Sequence, residues 1–258
     1  MAHTIYPEFW TNCWSKDYLC YDIKRMCSMY KDHISKLFEN PERSADNLKT
    51  QMLKHPGEYW DGECDEADFA YRVEECAVHE YGITKDMQYR TRLLWICCIL
   101  ELWEQNLSRC ITQDLCNSKF SLTEPQKNSL FNGFRTFENI FSSEMFKGTE
   151  QRCILSDFPR FDELKELSLL VNAIKHGRGK SLNSLYKHYP KYKMDEASAF
   201  AETTIYTQTL NVSDDDFYRF CDVLIDFWIW LPTHIVITNI DAFRAKLSSK
   251  EKAVKNEF

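Results

Sequence analysis

The stretch "RLLWICCILELWEQNL", Arg92 to Leu107, constrains the fold more than any other part of this chain. Read as a helix, its apolar side chains fall on nearly every face rather than along one stripe. A helix of that kind must lie inside other elements. The run is shorter than the roughly 20 apolar residues that cross a bilayer, and charge flanks it. It therefore predicts the central helix of a helical domain. The other apolar segment, Phe217 to Ile240, contains Arg219, Asp222 and Asp226 and also reads as core. No membrane association is expected.

The chain around this helix has few punctuating residues. Seven Gly and seven Pro in 258 residues are too few for a turn-rich β fold. Aromatic residues make up 14% of the chain, which suits a thick helical core. With no internal repeat and no low-complexity linker, the expected architecture is all-α: a single-domain helical bundle over residues 1–245, with a flexible tail over 246–258.

Local signals divide the bundle. Ser15 to Asn40 has helical spacing through Tyr18, Ile23, Met26, Tyr30, Ile34, Leu37 and Phe38, and Ser44 or Asp46 is a candidate cap for the next helix. Asp65 to Glu80 reads as a helix closed by Gly82, and Thr84 as the cap of the long central helix, which runs to about Leu115. Thr123 is a candidate cap for a following helix. Phe161 to His176 is helical, and a polar, Tyr-rich loop should follow it. "TTIYTQTLNV" is a candidate strand. Ser213 followed by three Asp residues marks a strong helix start, and Pro232 marks its end.

Charge and cysteine content narrow the function. A net charge of -7 gives the chain no overall attraction to nucleic acid or anionic membranes, so any polyanion site must be a local basic patch. The eleven cysteines are odd in number and include no C-x-x-C pair. Several fall on apolar helical faces (Cys97, Cys98, Cys110, Cys221), and the N-terminal residues lack signal-peptide character. This pattern predicts reduced thiols in a cytoplasmic protein. Cys76 and His79 have C-x-x-H spacing, but beyond Cys64 no further zinc ligand is evident, so neither metal nor cofactor is expected.

The most informative stretch is "LLVNAIKHGRGKSLNSLYKHYPKYK", Leu169 to Lys193. Gly179, Lys180 and Ser181 match the end of a phosphate-binding loop, but Ile174 stands where its first glycine belongs, and a helix rather than a strand precedes it. On that helix Leu164, Leu167, Leu170, Val171 and Ile174 share a core face. Lys165, Ser168, Asn172 and His176 form a stripe on the other side, with Leu169 beside it. Gly177 fits the position just past the helix end. A histidine there has an ordinary pKa of about 6.5 and can act as acid or base near neutrality. Asn172, one turn earlier, can orient it.

From Lys175 to Lys193 there is no acidic residue. The segment carries Lys175, Arg178, Lys180, Lys187, Lys191 and Lys193, interleaved with Tyr186, Tyr189 and Tyr192. Cations can hold phosphates and tyrosine faces can stack on unpaired bases, so this is a candidate RNA-binding segment. Two plainer readings stand beside it. His176 is then a capping cation, and the basic run is a solvated loop or pairs with the acidic "GEYWDGECDEAD" segment.

At "ELSLLVNAIKHGRGKS" and the later "DDDFYRFCDVLIDFW", the chain resembles HEPN-type helical proteins of prokaryotic, abortive-infection defence systems. The resemblance covers the C-terminal half, with a motif region of about 85–232. It implies an all-α bundle, often a homodimer, and in many members metal-independent RNA cleavage. In the family's arginine–polar–histidine signature, His176 matches the histidine, Asn172 the polar residue, and Val171 stands at the arginine position. Lys175 and Arg178 are the cations available to replace it. The candidate catalytic set is His176 and Asn172, implied by the resemblance, with Lys175 and Arg178, and the candidate RNA-binding residues are Lys180, Tyr186, Lys187, Tyr189, Lys191 and Lys193. The rival reading is a non-catalytic subunit that docks on a protein partner of a defence complex.

Overall fold

The computed structural model describes residues 8–10, 13–59, 65–117, 123, 124, 128, 133, 134, 137, 138, 141, 146–148, 154–177, 179–194, 210–232, 234–237, 241 and 245. The expected tail over 246–258 and most of the helix expected after Thr123 lie outside these residues.

A single helix organises the bundle. α4 runs from Glu66 to Asn117, 52 residues, straight through Gly82 and Thr84. The break expected there does not occur. A glycine inside a helix costs only about 1 kcal/mol relative to alanine, and the packed face continues on both sides of it. Phe69, Val73 and Ala77 are buried before it, and Tyr89, Ile96, Leu100, Trp103, Leu107 and Ile111 after it, all at helical spacing.

The other helices pack along this rod. α1, Cys13–Met29, passes into a wide π turn at Tyr30–Ile34 and a tight 3-10 turn at Ser35–Phe38, where the sequence predicted one continuous helix. The widening occurs where Tyr30 enters the core and donates its hydroxyl hydrogen to Asp214 at 2.7 Å. α2, Pro41–Lys54, opens on Pro41 rather than on a cap at Ser44 or Asp46. Ser44 donates instead to Glu80 of α4 at 2.7 Å. α3 is a single turn, Pro56–Tyr59. α5 is Phe161–His176, α6 is Lys180–His188, and α7 is Asp214–Trp230.

The start of α7 follows the sequence closely. The Asp216 N–H donates to Ser213 Oγ at 3.2 Å, and the Ser213 N–H donates to Asp216 Oδ2 at 3.0 Å, a reciprocal cap. The helix ends two residues before Pro232. α1 and α7 lie antiparallel: Lys16 reaches the Leu231 carbonyl, Cys20 the Ile225 carbonyl, and Tyr30 meets Phe217 at 4.5 Å between rings.

The main core joins α1, α4, α5, α6 and α7. Trp103 lies at its centre, edge-on to Phe227 at 4.9 Å and to Phe137 at 5.7 Å. A second, smaller cluster of Met52, Phe69 and Val73 fastens α2 to the first turns of α4.

The all-α bundle carries one small sheet that the sequence did not announce. β1 (Glu8–Trp10), β3 (His234–Ile237) and β2 (Phe146–Gly148) form an antiparallel sheet in that order, with Phe9 opposite Ile235 and Lys147 opposite Val236. The candidate strand at "TTIYTQTLNV" lies mostly outside the described residues. Its last three residues, 210–212, are irregular backbone, held where the Leu210 N–H donates to the Tyr89 hydroxyl at 3.1 Å. No described helix is long and apolar enough to cross a membrane.

Candidate functional site

α5 forms because its apolar residues repeat at three and four positions while Asp162 and Glu163 sit at its positive end. Leu164, Leu167, Leu170, Val171 and Ala173 are buried. Ser168, expected on the open stripe, is also buried, and Leu169 packs against the core. What remains open on the last turn is Asn172, Lys175 and His176. Gly177 closes the helix with φ +62, and its N–H donates to the Ala173 carbonyl at 2.9 Å.

The expected Tyr-rich loop is not a loop at first. After Gly179, with φ +132, the chain enters α6. Leu182, Leu185 and Tyr186 share one face at helical spacing and pack on the core, with Leu185 fully buried. That period was hidden by the two glycines and the polar residues between. The opposite face exposes Lys180, Asn183 and Lys187. The glycine turn thus joins the C-terminal end of α5, where His176 sits, to the N-terminal end of α6.

Asn172 and His176 are exposed one turn apart, and neither has a hydrogen-bond partner among the described residues. Lys175 is not free. Its Nζ lies 2.5 Å from Glu101 Oε1 on α4. Burial opposes its charge, but the Glu101 hydrogen bond holds its pKa above the ordinary lysine value. Glu101, Glu104, Gln105 and Lys175 line a cleft of about 310 Å³. Burial raises the Glu104 carboxyl above the usual range, although it accepts the Phe134 N–H at 2.6 Å. Arg178 lies outside the described residues.

The distal part of the basic segment turns inward. A 3-10 turn at Pro190–Tyr192 drives Tyr192 fully into the core, where its hydroxyl donates to Glu166. Lys191 pairs with Glu166 at 2.8 Å and Asp216 at 3.5 Å. Among the described residues its partners are on α5 and α7. Tyr189 donates to the Asp162 carbonyl at 3.1 Å, and Tyr186 is half-buried. Lys193 is exposed. The expected patch of six binding residues thus separates into exposed Lys180, Lys187 and Lys193, half-buried Tyr186 and Tyr189, and internally paired Lys191.

The sequence reading missed what Lys191 joins. Arg219 of α7 reaches Glu166 at 2.7 Å, Glu163 at 3.1 Å and Asp216 at 3.2 Å. Arg160 joins Glu163 at 2.7 Å to Asp226 at 2.6 Å. Burial works against these carboxylates, yet the hydrogen bonds from Arg219, Lys191 and Tyr192 hold Glu166 below the ordinary carboxylate range. This lattice fixes α5, the Pro190 turn and α7 as one unit. The only sequence signal was an arginine inside the apolar "FYRFCDVLIDFW".

Among the described residues no group of three or more His, Cys, Asp or Glu side chains is arranged to hold a metal ion. Cys76 and His79 lie on α4, and Cys64 is outside the described residues. Compared with protein-family models, with curated proteins and with solved structures, the chain finds no match.

Proposed function

We propose that this chain is a HEPN-like protein of a prokaryotic defence system that binds RNA at the junction of α5 and α6, with His176 as the acid–base group of that site. The observation that carries the reading is the exposed pair of Asn172 and His176, without a hydrogen-bond partner among the described residues, on the last turn before the glycines that lead into α6. The first N–H groups of α6, together with Lys180, form a positive end suited to phosphate. Lys187 continues the same face two turns on.

The chemistry would be attack of a ribose 2′-OH on its neighbouring phosphodiester. His176 takes the hydroxyl proton or returns one to the leaving oxygen, and Asn172 hydrogen-bonds the bound strand. Lys180 and the α6 N–H groups offset charge on the transition state. Lys175 supplies less to this than its sequence position suggests, because Glu101 already neutralises it.

The test has two parts. Binding of a fluorescent single-stranded RNA should weaken steeply with salt and weaken further on Lys180→Glu with Lys187→Glu. Cleavage of a mixed RNA panel should be lost in His176→Ala while binding persists. Binding without any cleavage by the wild-type protein removes the catalytic half. Absence of salt-sensitive binding removes the whole reading.

A second reading has its own support. Val171, at the signature's arginine position, is buried at 2% exposure, and both Lys175 and Lys191 are spent on internal pairs. These favour a non-catalytic subunit that meets a protein partner. Its mark is association with a protein that persists at high salt, with none to RNA.

A further inference from the structure

We infer that Cys27 and Cys221 form a peroxide-sensitive thiol pair, oxidised to a disulfide that fastens α1 to α7. The register of the two helices carries this. Along the antiparallel pair, Lys16 meets Leu231, Cys20 meets Ile225, and Tyr30 meets Phe217. Each step forward on α1 is a step back on α7, which brings Cys27 opposite Cys221. The Cys221 thiol is the strongest influence on Cys27 there.

Their surroundings divide the labour. Cys27 is half-buried and within reach of a small oxidant, whereas Cys221 is fully buried. The Cys221 thiol stabilises the Cys27 thiolate and, against burial, holds its pKa below the ordinary thiol value. Cys27 and deeper burial push Cys221 upward. Burial instead raises Cys20, Cys98 and Cys97, the last to about 11. Thiolate character and access together decide which cysteine reacts.

The oxidant class is a hydroperoxide, here hydrogen peroxide. The Cys27 thiolate attacks one peroxide oxygen and the O–O bond breaks. Hydroxide leaves and takes up a proton, so Cys27 becomes a sulfenic acid and one water forms. The Cys221 sulfur then attacks the Cys27 sulfur. The S–O bond breaks, and the hydroxyl leaves with the Cys221 proton as a second water. Two thiols lose two electrons, and one peroxide is reduced. A thiol reductant reverses the bond.

Each half of the pair lies in a tryptic peptide with no other cysteine, 26–31 and 220–244. The full-length protein is treated with limiting hydrogen peroxide, its remaining thiols are alkylated, and it is digested without reductant. The expected product is the two peptides joined, two hydrogens lighter than their sum. It should appear before Cys20, Cys97 or Cys98 loses its alkylation. In Cys221→Ala, Cys27 should be trapped as an adduct of a 1,3-diketone that captures sulfenic acid. Cys27 still fully alkylated when other thiols have been consumed, or found joined to any cysteine other than Cys221, overturns the proposal. The wild-type peptide map decides the matter even if a variant folds poorly.

Discussion

Lys175 of α5 and Glu101 of α4 are paired at 2.5 Å, so the cation beside His176 is neutralised before any ligand arrives. Glu101→Gln breaks that pair and frees the ammonium. For a single-stranded RNA the slope of log affinity against log salt should steepen by about 0.7, the value for one added phosphate contact. Fluorescence anisotropy across a salt series measures it. An unchanged slope, with the variant folded, would remove Lys175 and the end of α5 from the RNA contact.

Glu166 lies inside the protein with Arg219 at 2.7 Å and Lys191 at 2.8 Å. Arg219→Met leaves that carboxylate without its closest arginine and takes a second one from Glu163, which keeps Arg160. Breaking one side of a buried pair costs about 3–5 kcal/mol. Chemical denaturation should show a loss of that order. A loss within the range of an ordinary surface change, about 0.5 kcal/mol, would mean that Lys191 alone holds the cluster.

The same carboxylates set an acid limit. Glu163, Glu166 and Asp216 all have pKa values lowered in the folded protein. A group with a lowered folded pKa contributes stability above its unfolded value, about 4, and loses it as pH falls through the folded value. The denaturation midpoint should therefore drop progressively below about pH 4. Glu166→Gln, which removes one of these protons from the linkage, should be less stable near neutrality and show a shallower acid fall. A parallel acid profile in wild type and variant would contradict the assignment.

Gly177 holds φ +62 with no heavy atom close enough to obstruct an added Cβ. The cost of Gly177→Ala is therefore backbone strain alone, about 1–3 kcal/mol. Thermal unfolding checks the stability, and RNA binding at a temperature where the variant is folded checks the site. If the turn sets the approach of His176 to α6, affinity falls together with stability.

Ser213→Ala removes the hydroxyl that accepts the Asp216 N–H. The loss should be about 1 kcal/mol. Because Asp216 also accepts from Arg219, the substitution should add less than its full cost in an Arg219→Met background. A double-mutant cycle by denaturation gives that coupling.

What could be read from sequence was what depends on local chemistry. The Ser213 cap, the Gly177 helix end, the buried run around Trp103 and the core face of α5 all follow from side chains within a few positions of one another. Gly82 was misread because propensity sees a breaker, while the packed stripe from Phe69 to Tyr89 overrides it. α6 was missed because three apolar contacts in nine residues give a weak period beside two glycines. The pairings of Lys175 with Glu101 and Lys191 with Glu166 join elements far apart or in unexpected conformation. No spacing rule could have separated these cations from Lys180 and Lys187.

The unbroken α4 has a mechanical consequence. At about 1.5 Å per residue, the rod is roughly 78 Å long, and some 24 Å of it separate Val73 from Tyr89. The small cluster of Met52, Phe69 and Val73 therefore grips one end of a lever whose other end is clamped around Trp103. A molecule that pulls on the hairpin of α2 and α4 applies torque directly to the helix whose Glu101 holds Lys175, with no hinge between to absorb it.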